Sequence, residues 1–469
     1  MHESEHHGLL QNVAVVDIGK TTAKLALVDR ESGRTLDSVT RPNRVLPGPP
    51  YPHADVVGLW RFTLEGLARF ARAHPVGGIA VTTHGATAAL LADGRLAMPV
   101  LDYEYTGPAA TAAAYDAARP DFAESLSPRL PDGLNLGAQL FWQARAFGAE
   151  FSGVDTILAY PQFWAWKLSG VSASEVTSLG CHTDLWEPGN ARLSSLVSRE
   201  GWAPLFPPLR AAASVLGPVL PEVAAATGLD PATPVACGIH DSNASLLPWL
   251  GRLDPPFTVV SSGTWTIVMT VGGGLRDLDP ARDVLANVDA FGRPVPTARF
   301  MGGREYAAIV GSGAAQSGAA DLQEVIDRNV FALPSFVAGV GPFGAGKGRI
   351  DGPVEALGPG GRSALGDLYL ALVARECLSL VGTGARIVIE GPLARNASFC
   401  GLLAGFAGVP VHPSADATGT AFGASLLLDA PGRPSGRPPD IVVAPLAVSG
   451  LEAYARRWRA LAGAWPASV

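Results

Sequence analysis

The sequence predicts a mixed α/β protein built from two related halves, and three observations lead there. Residues 12–29, NVAVVDIGKTTAKLALVD, are an apolar branched run, a glycine-containing polar stretch and a second apolar run, the grammar of two strands joined by a turn. Residues 257–272, FTVVSSGTWTIVMTVG, repeat it, with Gly263 and Thr264 standing 244 positions after Gly19 and Lys20, about half the chain away. Such self-similarity predicts a duplicated architecture. Around the two hairpins, strand-like apolar runs alternate with helical patterns, as in α/β domains with mixed sheets.

Taken in order, GGIAVTTHG (77–85), DTILAYP (155–161), the short run Pro234 to Cys237 and ARIVIEG (385–391) read as strands. Helical spacing predicts helices over 56–74 and 365–381 and a final one from Gly419 to Leu428. The 55 glycines and 39 prolines are scattered as punctuation and form no linker tract, so turns are frequent. A length of 469 residues suits two or three domains. With no sharp shift in composition, the boundary near Ser245 to Leu253 rests on the repeat offset and divides 1–245 from 246–469.

Composition narrows the function classes. Hydrophobic residues make up 48% and charged ones 16%, which excludes disorder and coiled coil. The net charge of −7 gives no field favouring nucleic acid or an anionic membrane, so a small-molecule partner is expected. Cys181, Cys237, Cys377 and Cys400 lack metal-site or framework spacing and read as small buried residues in a reducing compartment. The first ten residues, MHESEHHGLL, lack signal-peptide character, and no stretch is long and apolar enough to span a bilayer, so a cytoplasmic protein is expected. His2, His6 and His7 read as a solvated tail.

Two glycine-rich stretches are decoys. GPFGAGKG (341–348) nearly fits a Walker loop but ends in Gly348 where a hydroxyl must reach Mg²⁺, and no clear helix follows. GSGAAQSG (311–318) has Gln316 where a dinucleotide fingerprint needs its third glycine. Four other stretches carry chemistry together. Asp17-Ile-Gly19-Lys20-Thr21-Thr22 offers backbone and side-chain donors to phosphate, with Asp17 able to hold a phosphate-bound Mg²⁺. Ser261-Ser262-Gly263-Thr264 repeats the device. In Gly238-Ile-His240-Asp241-Ser242, Asp241 at a strand end is placed to take a proton from a hydroxyl, or to cap a helix. Glu390-Gly391-Pro-Leu-Ala-Arg-Asn396 ends a strand where glycine lets a nucleotide approach backbone. His182 among small residues reads as hydrogen-bonded structure and Trp164 and Trp166 as core, while Phe300 to Glu305 reads equally as a cleft-facing stretch or a polar loop.

In this order, over essentially the whole chain, these stretches resemble the FGGY family of carbohydrate kinases. The resemblance implies two duplicated actin-like (ribonuclease-H-like) domains with a cleft between them, the first on the sugar side and the second on the nucleotide side. It implies ATP and Mg²⁺ as cofactors, Asp241 as general base and Asp17 with Asp241 toward the metal. Gly19, Lys20, Thr21, Thr22, Gly263, Thr264, Gly391 and Asn396 then hold the nucleotide, while Thr83, His84, Gly85, Asp102 and Asp241 face the sugar. Thr83-His84-Gly85 looks like the Gln-Met-His-Gly stretch of xylulose kinases, but Thr82-Thr83 replaces Gln-Met and Leu101-Asp102-Tyr103-Glu104 stands where a Trp-Asn-Asp segment is found. Thr418 to Gly423 also lacks the usual Glu. The implied substrate is a small ketose such as fuculose or rhamnulose, phosphorylated on a hydroxyl. The partners are that sugar and ATP, with no nucleic acid and no membrane, and a homodimer is compatible with the reading. An actin-like ATPase or a non-catalytic sugar sensor on the same fold is the alternative.

Overall fold

The computed structural model describes residues 11–313, 315–414, 419–429 and 441–463, so His2, His6, His7 and Thr418 lie outside the described residues. The chain forms two compact units. One comprises Met1–Arg252, Ala286–Pro294 and Thr418–Arg437; the other comprises Leu253–Leu285, Val295–Ala417 and Pro438–Val469.

In the first unit, β1 (Asn12–Ile18) and β2 (Thr22–Asp29) form the predicted hairpin, with Asp17 opposite Lys24. β3 (Arg34–Pro42) adds antiparallel to β2, and β4 (Gly78–Thr83) runs parallel to β1 with Asp17 beside Thr82. After β5 (Val215–Pro218), the short strands β6 (Pro234–Ala236) and β7 (Ile239–His240) both run parallel to β4. The strand order is β5-β6-β4-β1-β2-β3. Side chains alternate across a strand, so Ala14, Val16 and Ile18 meet Leu67 and Phe70 of α1 (Val56–Ala73) and Phe163 and Trp164 of α2 (Tyr160–Ser169). Val13 and Val15 on the other face pack with Ala244 of α3 (Asp241–Leu250) and with Ala421 and Ala424 of the helix Gly419–Ser425. Cover on both faces explains the near-continuous apolar strand sequences. Asp55 caps α1, its carboxylate accepting from Gly58 N at 2.8 Å.

The second unit repeats the plan. β8 (Phe257–Ser262) and β9 (Thr266–Val271) form the second predicted hairpin. β10 (Val284–Val288), whose residues 286–288 belong to the first unit, precedes β11 (Pro294–Phe300), which pairs antiparallel with β9. β12 (Ile387–Glu390) runs parallel to β8, and β13 (Val411–Pro413) parallel to β12. The order β11-β9-β8-β12-β13 reproduces β3-β2-β1-β4-β6 in sequence and sense, so each unit carries a ribonuclease-H-like sheet. α4 (Gly302–Val310) and α5 (Pro359–Val381) follow, the latter opening at a proline six residues before its predicted start because proline is preorganised for a first helical turn. α6 (Ala397–Ala407) lies between β12 and β13 along the chain.

Three expectations need correction. In DTILAYP the strand ends at Ala159, and Tyr160-Pro161 already opens α2. The helix beginning at Gly419 runs to Ser425 with a 3-10 turn over Leu426–Leu428. It is not the last, because Leu451–Gly463 is helical, with Tyr454 and Trp458 buried and donating to Val330 O and Ala332 O at 2.6 and 2.7 Å. Residues 341–348 form a loop that leads into the strand Arg349–Asp351. Among the described residues no helix is long and apolar enough to cross a membrane. All four cysteines are buried thiols.

Candidate active site

The first glycine turn is braced from behind. Gly19 N donates to Thr22 O at 3.0 Å, while Asn43 donates its backbone N–H to Thr21 O at 2.9 Å and its side-chain amide to Gly19 O at 2.8 Å. Thr21 and Thr22 are left exposed. Lys20 turns toward the 101–104 segment: its ammonium pairs with Asp102, stands 3.7 Å from Glu104 Oε2 and lies 4.5 Å from the centre of the Tyr103 ring.

Two carboxylates sit near this turn. β7 pairs His240 with Thr83, and the chain then enters α3. His240 occupies the N-cap position and Asp241 the first turn, so Asp241 is not the cap. Asp241 Oδ1 accepts from Ser242 N at 2.6 Å and from Ser242 Oγ at 3.4 Å and forms an ion pair with His240 Nε2 at 3.2 Å, with a third of the side chain exposed. A helix N-terminus favours such an anion. Burial pushes the Asp17 carboxyl up to about 7, the Asp241 charge adding to the rise and Lys24 opposing it.

Beneath Asp241 the His240 ring is buried, with Nε2 3.4 Å from Cys181 Sγ and Nδ1 3.5 Å from Asn243 Nδ2. Burial alone would lower this imidazole, but Cys181 and Asp241 hold it up at about 9. Burial alone would raise the Cys181 thiol, yet His182 and His240 pull it down to about 5. Cys181 is thus buried as expected but electrostatically engaged. Gly85 makes room for this pair, since a Cβ there would come within 2.8 Å of His240 Nε2 and 3.3 Å of Cys181 Sγ.

A narrow pocket in the same unit is lined by Lys20, Asn43, His84, Thr87, Asp102 and Tyr103. His84 N donates to Ile18 O at 3.0 Å, tying this stretch to β1. Its Nδ1 lies 3.0 Å from Gly85 O, which assigns the proton to Nδ1 and leaves Nε2 a lone pair. The ring meets Tyr103 and Tyr160 at 5.3 and 5.2 Å between centroids, and burial lowers its pKa, so it stays neutral. Thr83 is buried, its hydroxyl donating to His84 O at 2.9 Å. His182 is held by Leu134 O, 2.8 Å from Nδ1.

In the second unit, Gly263 and Thr264 are exposed at the tip of the β8–β9 hairpin. Gly263 has no left-handed φ, and a Cβ there would meet only Trp265 O at 3.9 Å. Gly303 at the start of α4 backs the turn, its N–H donating to Thr264 O at 3.3 Å, so the Phe300 to Glu305 stretch is neither a free loop nor solvent-facing throughout: Glu305 is buried and accepts from Ser335 Oγ and Phe336 N at 3.0 and 3.1 Å. Gly391, at φ +78, lies so close to Ser262 that a Cβ would fall 2.1 Å from Ser262 O. Ser262 Oγ donates to Glu390 O at 2.6 Å and accepts from Leu393 N at 3.0 Å, joining the hairpin to the 390–396 stretch. Asn396 uses its side chain locally, accepting from Phe399 N at 2.9 Å and donating to Asp367 Oδ1 at 2.6 Å.

The residues singled out from sequence therefore fall into two groups. Asp17, Gly19 to Thr22, Thr83 to Gly85, Asp102 and Asp241 lie in the first unit, and Gly263, Thr264, Gly391 and Asn396 in the second. Asn43, Tyr103, Cys181 and Asp367 carry contacts that sequence reading did not assign. Only the Asn in Arg41-Pro-Asn-Arg44, a turn former next to a strand end, gave a local signal. Among the described residues no group of three or more His, Cys, Asp or Glu side chains is arranged to hold a metal by itself.

A family model described as carbohydrate kinase FGGY, C-terminal domain, matches residues 254–436. The chain is similar to the crystal structure of a carbohydrate kinase from Novosphingobium aromaticivorans, at 39% identity and TM-score 0.85 over 96% of this chain and 98% of that one. It shares its fold with the ligand-bound xylulose kinase of Lactobacillus acidophilus, at 14% identity and TM-score 0.81 over 96% of this chain and 97% of that one. The ADP-bound glycerol kinase of Plasmodium falciparum also has this fold, at 12% identity and TM-score 0.74 over 89% of this chain and 88% of that one. A comparison with curated proteins found no match. Carried by the duplicated sheets, the family model and a relative aligned over nearly its whole length, the conclusion is that this chain belongs to the FGGY family of carbohydrate kinases.

Proposed function

We propose that the protein transfers the γ-phosphoryl group of ATP to a hydroxyl of a small ketose such as fuculose or rhamnulose, with Asp241 as general base. The observation that carries this reading is the state of the Asp241 carboxylate. Oδ1 is occupied by the Ser242 donors and paired with the His240 ring, a third of the side chain is open, and the Lys20–His84–Asp102 pocket lies in the same unit. The sugar O–H gives its proton to Asp241, the oxygen bonds the γ-phosphorus in line, and the bond to the β,γ-bridging oxygen breaks to release ADP. Such transfer depends mainly on positioning and charge neutralisation.

Sugar hydroxyls meet Asp102 and the free Nε2 lone pair of His84 in this reading. The exposed Thr21, Thr22, Gly263 and Thr264 supply donors to phosphate, and the glycine-opened Gly391–Asn396 stretch receives the adenosine. Burial raises the Asp17 carboxyl and the Asp241 charge adds to the rise, so a cation there would favour the ionised pair, and this suits Mg²⁺, which is held by few carboxylates together with waters and phosphates. Mg²⁺ there would neutralise phosphate charge. The ketose assignment draws on Thr82-Thr83 and on the 101–104 segment, which depart from the xylulose-kinase pattern.

The test is ADP release with and without a panel of ketopentoses, deoxyketoses and polyols. Turnover that requires a deoxyketose supports the full reading, and turnover with another sugar supports the kinase alone. Sugar-independent turnover indicates an ATPase, and sugar binding without turnover a sensor. Asp241→Asn is expected to lower kcat by about 10² to 10⁴-fold with both KM values nearly unchanged. A kcat within a few fold of the parent would remove Asp241 from its role.

A further inference from the structure

We propose that His240 is a positioning residue that anchors Asp241 Oδ1, so that Oδ2 is the oxygen that takes the sugar proton; the proposal rests on the reading of Asp241 as base. An aspartate at the edge of a site can turn about both of its side-chain torsions, and neither carboxylate oxygen is distinguished unless one is held. Ser242 N and Oγ reach Oδ1 from the residue that follows. The His240 ring supplies the contact that comes from a fixed support, with Nε2 3.2 Å from Oδ1.

What fixes the ring is visible on every side. Its backbone N–H donates to Thr177 Oγ1 at 3.1 Å, and that hydroxyl donates at 2.6 Å to the carboxylate of Glu175, which is 0% exposed. Nε2 hydrogen-bonds Cys181 Sγ at 3.4 Å while its charge pairs with Oδ1, and Asn243 Nδ2 stands 3.5 Å from Nδ1. Above the ring lies Gly85, where a Cβ would overlap Nε2 at 2.8 Å, so the imidazole holds this place only because residue 85 carries no side chain. Gly85 also belongs to the sugar-side stretch, its carbonyl 3.0 Å from His84 Nδ1. One buried ring therefore sets the base relative to the segment that faces the sugar. Displacement of a reacting group by about 1 Å costs about 10²-fold in rate, which sets the scale of the effect.

The experiment compares three variants with the parent in steady-state kinetics and thermal melting. His240→Leu keeps bulk and removes the donor, and kcat is expected to fall about 10²-fold while the KM values for sugar and ATP stay within about threefold. His240→Gln returns an N–H at similar reach and is expected to recover at least tenfold of that loss. His240→Asn, polar and too short to reach Oδ1, is expected to lose as much as the leucine variant and supplies the same reading if the latter does not fold. A donor-less variant with kcat within threefold of the parent overturns the proposal, as does loss shared equally by kcat, both KM values and melting temperature with no recovery in His240→Gln. An active Asp241→Asn protein overturns the base reading and this inference with it, whereas an inactive one beside a fully active His240→Leu overturns the inference alone.

Discussion

The two glycine turns occupy equivalent places on equivalent sheets and are chemically different. Two residues before Gly19 stands Asp17, and two before Gly263 stands Ser261. Asp17 has Thr82 beside it on the parallel strand β4, while Ser261 has Glu390 beside it on β12. At this level each sheet thus carries one acid and one hydroxyl, but on exchanged strands. After the glycine come Lys20 in the first turn and Thr264 in the second. Topology fixes where a turn can present its backbone, whereas the side chains decide what it does: the first is charged and coupled to Asp241 and Asp102, and the second is neutral and open.

Removing the charge that separates the turns should have the largest effect. Asp17→Asn is expected to lower phosphoryl transfer by about 10² to 10³-fold. It should also change the pH dependence of stability. Because the folded-state pKa of Asp17 is raised from 3.8 to about 7, the fold favours the protonated acid, and the parent loses stability as pH climbs through that window. In divalent-free buffer the melting temperature of the variant should gain on the parent between about pH 4 and pH 7, from the unfolded to the folded value, and the gap should level off above it. Added Mg²⁺ should raise the parent's melting temperature at the upper end and leave the variant's unchanged. A gap that does not vary with pH would show that Asp17 ionisation is not linked to folding.

The next contrast is between Lys20 and Thr264. Since Lys20 pairs with Asp102 and Glu104 rather than projecting free, Lys20→Met is expected to raise the sugar KM by about tenfold, the scale of a lost charged hydrogen bond, and to leave the ATP KM within about threefold. Thr264→Val should show the opposite split. A larger rise in ATP KM for Lys20→Met would return Lys20 to the phosphates.

Smallest is the response of the glycines themselves. Gly19→Ala places a Cβ 3.1 Å from Thr22 O and should cost about 1 kcal/mol in urea unfolding, whereas Gly263→Ala meets only Trp265 O at 3.9 Å and should stay within about 0.5 kcal/mol. Equal costs would mean that the two turns are packed alike.

Much of this was legible in the sequence because it is local. Both hairpins declare themselves through strands covered on two faces, and Asp241 through its position between a strand and small helical residues. What escaped depends on distant partners. Asn43 braces Gly19 from 24 positions away, and Cys181 reaches His240 across 59, with nothing in either segment to announce the other. The helix Leu451–Gly463 does carry a local signal, the stripe of Tyr454, Ala455, Trp458 and Ala462 opposite Glu452, Arg456, Arg457 and Arg459, and stands outside the helices expected from sequence only because that stripe was given no weight.

The helix Gly419–Ser425 has a consequence for how the chain is made. It covers the face of the first sheet that bears Val13, Val15 and Ala80, with Thr420 Oγ1 2.9 Å from Ser245 Oγ and Gly423 seated directly on the Ala244 carbonyl. On the ribosome, that face waits for a segment synthesised some 400 residues after β1 began, an interval of roughly 20 to 80 s at ordinary elongation rates. Through that interval the nascent first unit presents an apolar surface without its natural cover, and chaperone retention should end only when residues 419–425 have emerged.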